Sequence, residues 1–214
     1  AVAHGAVAGL NAIPGALESF FGPRAGAAFQ ESRILESVRD GRWGHYELMN
    51  AYLKVHPTCA HLHGINDATE HLIAKHGIKG ADVAAVEIAS YAKGLAYDNH
   101  APKTELAARF SAAYTTAIAL LRGNLDANAV TAAALNEPDV KALVSRIAVR
   151  HDSDLDQHYP AGRPARVTIT MNDGRVFTES CMYPRGDSTN PTTRAERRAK
   201  AHKLLAARFD LRQA

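Results

Sequence analysis

The segment 54–68, with the sequence KVHPTCAHLHGINDA, brings a lysine and three histidines close together. Lys54 stands just before Pro57, and proline is common in the first turn of a helix, so we predict a helix from Pro57 to His76. A lysine at the N-terminus of a helix is suited to bind a carboxylate, because its charge adds to that of the free backbone N–H groups. An imidazole on the first turns of this helix could then move a proton on the bound molecule.

His63 is the histidine that we expect to move this proton. On an ideal helix it lies about 200° around the axis from Ile65, and therefore off the apolar stripe. Asp67 follows one turn later on the same face, and an Asp–His pair at this spacing can hold one tautomer of the imidazole. The alternative interpretation is a surface histidine with no part in chemistry.

Two other kinds of site are not expected in this segment. His56 and His61 do not share a helical face with His63, and no further ligand completes a tetrahedral set, so we predict no metal site. Cys59 stands one turn before His63, but no third group is evident that would orient a thiol–imidazole pair. Nucleophilic catalysis by this cysteine is therefore not predicted.

Composition and charge exclude several protein classes. The 214 residues are 46% hydrophobic and 22% charged, as is typical of a globular protein in water. The formal net charge of +3 is too small to indicate a nucleic-acid partner. Two widely spaced cysteines indicate a reduced, cytoplasmic setting rather than a disulfide framework. No apolar run is long enough to cross a membrane.

The rest of the chain alternates between helical and strand patterns. Thr104 is predicted to cap a long helix that ends at Arg122, before Gly123. Its apolar positions recur every three or four residues, as a buried face requires: Leu106, Phe110, Tyr114, Ala117 and Leu121. Further elements are predicted as follows: a strand over 83–89, a helix from Pro138, a strand over 144–151, and a C-terminal helix after the Thr193–Glu196 capping box.

A β-hairpin fixes the fold class that we predict. The turn Asp173-Gly174 joins two alternating runs, 167–171 and 175–181, and such a turn is among the strongest short-range hairpin signals. With long helices between the other strands, this order predicts an α+β fold. We expect one antiparallel sheet with helices packed on one face.

Several motifs, taken in order, resemble the MmgE/PrpD family, whose members include 2-methylcitrate dehydratase, cis-aconitate decarboxylase and iminodisuccinate epimerase. The motifs are the run from Lys54 through Pro57 to the histidines, the helix over 103–114 with its Phe-Ser-x-x-Tyr pattern, the segment 137–143 with the strand end 150–152, the hairpin with 164–168 and 173–174, and the loop 184–187 followed by Asn190-Pro191. The resemblance covers essentially the whole chain.

The resemblance implies a division into two parts. Complete members of the family have a large helical N-terminal domain, and their active site lies between it and the C-terminal domain. We therefore expect residues 1–42 to be the end of a helical domain with its connecting segment, and 43–214 to be the C-terminal α+β domain. The family's acid/base groups on the helical domain have no counterpart in this sequence. The chain is thus expected to form one wall of a cleft and to be nearly inactive alone.

The resemblance also implies site residues. Lys54 matches the family's active-site lysine, and Tyr97 falls where the family has an active-site tyrosine; a solvated lysine and a half-buried tyrosine are the alternatives. Arg185 lies in a glycine-containing loop and could close over an anionic substrate, or could pair with Asp187 instead. We predict Lys54, His63 and Tyr97 as catalytic residues, and Lys54 and Arg185 as substrate-binding residues.

The function predicted on this basis is that of the C-terminal part of a lyase or isomerase. By resemblance its substrates are small di- or tricarboxylates, as for the 2-methylcitrate dehydratase of propionate catabolism. No cofactor, nucleic acid or membrane is expected. The expected partners are a helical N-terminal domain and further copies of the chain in a homo-oligomer such as a homodimer. The alternative is a non-catalytic assembly or binding module, or one subunit of a split enzyme.

Overall fold

The computed structural model describes residues 50–206 and residue 209. All the elements given below belong to the unit Ala51–Ala214, one of the two units into which the chain divides. The predicted boundary between residues 42 and 43 lies outside the described residues, as does the predicted helical segment 1–42. Both therefore stay predictions.

The first helix, α1, spans His63–His76 and follows a 3-10 turn at Ala60–Leu62. The predicted start at Pro57 is wrong, because Pro57 and the two residues after it are held outside the helix by the distant Arg109. The Cys59 N–H donates to the Arg109 carbonyl at 2.9 Å, and the guanidinium of Arg109 donates to the Pro57 carbonyl at 3.0 Å. The predicted end is confirmed: Gly77 has a φ of 63° and its N–H donates to the Ile73 carbonyl.

Four strands form a single sheet in the order β2-β1-β3-β4. The strands are β1 (Val83–Ser90), β2 (Ile147–His151), β3 (Ala165–Met171) and β4 (Val176–Cys181). The predicted hairpin is confirmed, since β3 and β4 pair antiparallel. The sheet is mixed, however, and not purely antiparallel, because β1 and β2 run parallel with Val86 opposite Ile147. The long helical connection between these two strands returns the chain to the same end of the sheet, as parallel pairing requires.

The helix predicted over 104–122 is divided into α2 (Glu105–Ala108) and α3 (Ala112–Arg122). Thr104 caps α2 as predicted, but Ser111 caps α3 separately by accepting the Tyr114 N–H at 3.0 Å. A side chain that satisfies a free helical N–H starts a new helix at that point. Leu106 on α2 is 68% exposed and Phe110 in the break is 41% exposed, where burial was predicted for both.

Three further helices complete the described chain: α4 (Pro138–Val144), α5 (Ser153–Asp156) and α6 (Arg194–Ala206). The predicted capping box of α6 is confirmed. The Glu196 N–H donates to the Thr193 hydroxyl at 3.2 Å, and the Glu196 carboxylate accepts the Thr193 N–H at 2.6 Å. None of the helices in the described part of the chain is both long and apolar enough to span a membrane.

The α+β fold with its helices on one face of the sheet is confirmed. Helix α1 packs against β3, β4 and α3, and α3 also contacts β2 and α4. In β3 the burial alternates strictly, with Val167 and Ile169 buried and the residues between them partly exposed. Burial of each such side chain stabilises the fold by about 1.5–3 kcal/mol. This core fixes the start of α1 above the sheet, where the predicted site residues lie.

Candidate active site

Lys54 lies at the surface, in the segment 51–59 that leads into α1, which we call the strap. Its ammonium donates to the carbonyl of Thr58 at 3.0 Å, and the strap itself is held from α6, where Lys200 donates to the carbonyls of Lys54 and Val55. The start of α1 has neither a side-chain cap nor an acidic residue in its first turn. The ammonium of Lys54 therefore lies beside the Thr58 carbonyl, in the segment just before the 3-10 turn that precedes α1.

His63 is completely buried, which contradicts the surface position expected from the helical wheel. Its ring meets Tyr52 and His56 edge to face, at centroid distances of 5.4 Å and 5.2 Å. Neither ring nitrogen has a hydrogen-bond partner of normal geometry. Burial is the main reason that the pKa of His63 falls to about 3, and the nearby His56 lowers it further. His63 is therefore neutral near pH 7.

Lys54, which is exposed, and His63, which is buried, lie near each other. The Thr58 carbonyl accepts a hydrogen bond from Lys54. The backbone of Thr58 also interacts with His63 and raises its pKa, whereas the charge of Lys54 lowers that pKa. The two residues thus lie near one backbone carbonyl. The catalytic roles assigned to Lys54 and His63 stay predictions.

Asp67 does not hold the imidazole of His63, as its spacing had suggested. Its carboxylate accepts from His56 at 2.6 Å and from the backbone N–H of Arg185 at 2.5 Å. The other ring nitrogen of His56 lies 3.7 Å from the carboxylate of Glu70. His56 is thus held between two carboxylates, and Asp67 does not select a tautomer of His63. His56 had been considered only as a metal ligand, so its pairing with Asp67 was missed.

Tyr52 and Arg163 complete the surroundings of His63, and the sequence analysis identified neither. The guanidinium of Arg163 lies over the Tyr52 ring at 5.4 Å. The Tyr52 hydroxyl and the Arg163 Nε are buried without a hydrogen-bond partner, like the nitrogens of His63. Burial raises the pKa of Tyr52 to about 12, although Arg163 opposes this shift. We call Tyr52, Lys54, His63 and Arg163 the histidine cluster; buried polar atoms without partners are rare and suggest that a ligand or water completes them.

Tyr97 belongs to a second, aromatic group around His61. The rings of Tyr97 and His61 stack at 5.1 Å, and the His61 imidazole is hydrogen-bonded to the Tyr91 hydroxyl. Burial, together with a hydrogen bond to Cys59, raises the pKa of Tyr97 to about 12. The phenol therefore stays protonated near neutral pH and can donate a hydrogen bond. The structure brings Tyr97 to His61, and the contacts do not join it to His63.

Arg185 is engaged by its own domain. Its guanidinium donates to the carboxylate of Glu196 at 2.9 Å and to the side-chain oxygen of Asn190 at 3.1 Å, and its partner is not Asp187. Asp187 instead lies 3.9 Å from Arg163. The substrate-binding role of Arg185 stays a prediction, and it would require this guanidinium to exchange Glu196 for the substrate.

Metal and thiol chemistry find little support in this region. His61 turns toward the aromatic group, away from His56 and His63, and the described residues contain no group of three or more ligands placed to hold a metal ion. Cys59 and Cys181 are free thiols. Burial and the nearby Asp67 raise the pKa of Cys181 to about 12, so this thiol is a poor nucleophile.

Comparison with protein families gives one match, and it covers most of the chain. The model of the MmgE/PrpD C-terminal domain matches residues 56–214. The matched region contains His63, Tyr97, Arg163 and Arg185, and it begins two residues after Lys54. A comparison with curated proteins gives no match.

Proposed function

Because this chain belongs to the MmgE/PrpD family, we propose that it forms the carboxylate-binding wall of a lyase or isomerase active site. Its substrates would be small di- or tricarboxylates, as for 2-methylcitrate dehydratase. The observation that carries this proposal is the state of His63, a fully buried and neutral imidazole with two unpartnered nitrogens beside a lysine. Such a residue is suited to proton transfer once an anion lies next to it.

The histidine cluster supplies the groups that a carboxylate needs. Lys54 offers an exposed ammonium just before α1, and Arg163 offers a buried N–H that has no acceptor. The Tyr52 hydroxyl, which its pKa of about 12 keeps protonated, is a third donor. A carboxylate oxygen is the acceptor that satisfies donors of this kind with the strongest hydrogen bonds.

Proton transfer would then take place at the carbon next to the bound carboxylate. The unprotonated nitrogen of His63 takes the proton, and the electron pair of the C–H bond moves toward the carboxylate. The cations of Lys54 and Arg163 stabilise the negative charge that develops there. The other nitrogen of His63 carries a hydrogen and can donate it to the substrate.

Tyr97 and a helical domain would supply the remaining groups. A phenol with a pKa of about 12 is a hydrogen-bond donor or an acid, not a base, at neutral pH. Dehydration also requires an acid for the leaving hydroxyl group, which we assign to a helical domain that closes the cleft. We expect the 214-residue chain alone to turn over citrate or cis-aconitate negligibly. Turnover at an ordinary enzymatic rate would contradict this division of the site.

A non-catalytic assembly module is the second candidate, and exposed apolar side chains favour it. Leu106 and Phe110 flank the break between α2 and α3 and are 68% and 41% exposed. A surface of this kind suits a helical partner. The two candidates differ in one observable property, because only the enzyme needs a carboxylate site in the histidine cluster.

Calorimetric titration with citrate and cis-aconitate tests the proposed site. The wild-type chain should bind at least one of them, and Lys54→Ala should bind it at least tenfold more weakly, which is about 1.4 kcal/mol. Lys75→Ala is the matched control, because Lys75 is an exposed lysine in the last turn of the same helix. Equal affinity in wild type and Lys54→Ala would refute the role of Lys54.

A further inference from the structure

His61 is a histidine near the start of α1 that the proposed mechanism does not use. It lies in the 3-10 turn Ala60–Leu62, two residues before His63. Its ring stacks on Tyr97 at a centroid distance of 5.1 Å and is tilted against Tyr91 at 5.9 Å. These contacts restrict the orientation of the imidazole.

The hydrogen bond between His61 and Tyr91 also fixes the tautomer of this imidazole. Tyr91 is 1% exposed, so its hydroxyl has to find an acceptor inside the protein, and Nδ1 of His61 is its only hydrogen-bond partner among the described residues. Burial raises the pKa of Tyr91, so the phenol keeps its proton and donates a hydrogen bond to Nδ1. The hydrogen of the neutral imidazole therefore lies on Nε2.

The Nε2–H of His61 is open to a ligand. Burial is the main reason that the pKa of His61 lies below 6.5, so the ring is neutral near pH 7. No described residue accepts a hydrogen bond from Nε2, since the bond to a described residue is that of Nδ1. The residue is partly exposed, and Nε2 is not one of the fully buried polar atoms that lack a partner. Solvent therefore reaches this donor.

The charges around His61 favour an anion. Arg163 and Lys93 are the two charged groups that lower its pKa, and no carboxylate of the described residues is among the groups that shift it. Lys93 is exposed, and its ammonium lies 5.9 Å from the centre of a tyrosine ring. Asp156 accepts the backbone N–H of the residue before Lys93, but it is already paired with His151 at 2.8 Å. A carboxylate satisfies an open N–H with a stronger hydrogen bond than a neutral acceptor does.

Arg163 connects His61 with the histidine cluster. Its guanidinium lies over the Tyr52 ring at 5.4 Å, and its charge lowers the pKa of both Tyr52 and His61. His61 and His63 are two positions apart in one turn, so their side chains leave that turn in different directions. Arg163 is thus near two sets of hydrogen-bond donors, one around His63 and one at His61.

We propose that the Nε2–H of His61 binds a second carboxylate of the substrate, and that Tyr91 is the positioning residue of His61. Tyr91 acts only through the imidazole, by keeping Nδ1 as the acceptor and the hydrogen on Nε2. The cations of Arg163 and Lys93 attract the same carboxylate. This inference rests on the proposed function, because the first carboxylate lies in the histidine cluster. It predicts a preference for substrates with at least two carboxylates.

Glutarate is the probe, and pentanoate, in which a methyl group replaces one carboxylate, is its matched analogue. Binding to the 214-residue chain is measured by NMR titration of backbone amides. The wild type should bind glutarate at least about tenfold more tightly than pentanoate, because a charge-assisted hydrogen bond is gained. His61→Phe keeps a ring but lacks the donor, so it should bind glutarate about fivefold more weakly and pentanoate equally well. His71→Phe, at an exposed position of α1, is the control.

His61→Gln guards against a fold that is damaged by the loss of the imidazole. Glutamine keeps both an N–H donor and an acceptor for the Tyr91 hydroxyl, so this variant should bind glutarate within about twofold of the wild type. Equal glutarate affinity in wild type and His61→Phe would overturn the proposal. So would equal affinity of the wild type for glutarate and pentanoate.

Nitrogen NMR of the histidine rings tests the role of Tyr91 without any change to His61. In the wild type, Nδ1 of His61 should show the resonance of an unprotonated ring nitrogen, and Nε2 that of a protonated one. Glutarate should shift the Nε2 resonance, whereas pentanoate should not. Tyr91→Phe should mix the two tautomers and weaken glutarate binding roughly twofold. A wild-type His61 with its hydrogen on Nδ1 would overturn the assignment.

Failure of this inference is distinguishable from failure of the proposed function. Glutarate binding that is weakened by Lys54→Ala but not by His61→Phe would overturn the role of His61 alone. Weakening by His61→Phe but not by Lys54→Ala would support His61 and refute the role of Lys54. No glutarate binding to the wild type at millimolar concentration would overturn both.

Discussion

The buried, neutral state of His63 makes the stability of the fold depend on pH in a way that can be calculated. In the unfolded chain the imidazole titrates near its ordinary pKa of 6.5, whereas in the fold its pKa is about 3. Below pH 6.5 the unfolded state therefore takes up a proton that the folded state refuses. The free energy of unfolding should fall as the pH is lowered from 6.5 toward 3.

The size of this effect follows from the linkage between protonation and folding. Each pH unit between the two pKa values contributes about 1.4 kcal/mol. Lowering the pH from 7 to 5 should therefore destabilise the wild type by about 2 kcal/mol through His63 alone. This figure hardly changes for any folded-state pKa below about 4, because His63 is then uncharged in the fold at both pH values.

The assay compares urea unfolding of the wild type and His63→Gln at pH 7 and pH 5. Glutamine does not titrate, so the stability of the variant relative to the wild type should increase by about 2 kcal/mol at the lower pH. His71→Gln is the control, because His71 is exposed on the same helix. Its stability relative to the wild type should change by less than about 0.5 kcal/mol. A difference between wild type and His63→Gln that is the same at both pH values would refute the reasoning.

Two further predictions concern the elements that hold the site. Gly64→Ala should lower the free energy of unfolding by about 1–3 kcal/mol, because a Cβ at this position would overlap the carbonyl oxygen of Arg163. An unchanged midpoint of urea unfolding would contradict this contact. The hydrogen bonds from Arg185 and Thr193 lower the pKa of Glu196 to about 2. Carbon NMR should show that Arg185→Gln raises the pKa of Glu196 toward its ordinary value of 4.5. A Glu196 carboxylate with a pKa already near 4.5 in the wild type would exclude the ion pair with Arg185.

Local signals in the sequence predicted the fold well wherever the structure depends on neighbouring residues. Gly77 ends α1, Thr104 caps α2, and the Thr193–Glu196 box begins α6, because each of these caps is formed within a few residues. The β3–β4 hairpin belongs to the same class, since its Asp-Gly turn and its alternation are both local.

Contacts between distant parts of the chain account for what the sequence did not reveal. Arg109 holds the strap at Pro57, so that α1 starts later than the proline indicated. The ring of His63 packs against Tyr52 and His56 of the segment before α1, and a helical wheel of α1 contains no information on that segment. Arg163 reaches the histidine cluster from the residues just before β3, and no motif near it indicates this position. The catalytic role of Lys54 stays a prediction.

The central claim is that Lys54 and His63 act on the same bound carboxylate. An anion beside His63 should raise its pKa by about 1–3 units, so that binding is accompanied by proton uptake at mildly acidic pH. The most direct test is calorimetric titration with citrate at pH 4.5, where a pKa raised from about 3 to between about 4 and 6 gives measurable proton uptake, in two buffers with different ionisation enthalpies. Because citrate itself exchanges protons, the readout is the difference between the wild type and His63→Gln. We predict that the wild type takes up more protons per citrate than His63→Gln, and that Lys54→Ala weakens binding. Equal proton uptake in wild type and His63→Gln, with citrate bound to both, would contradict the claim.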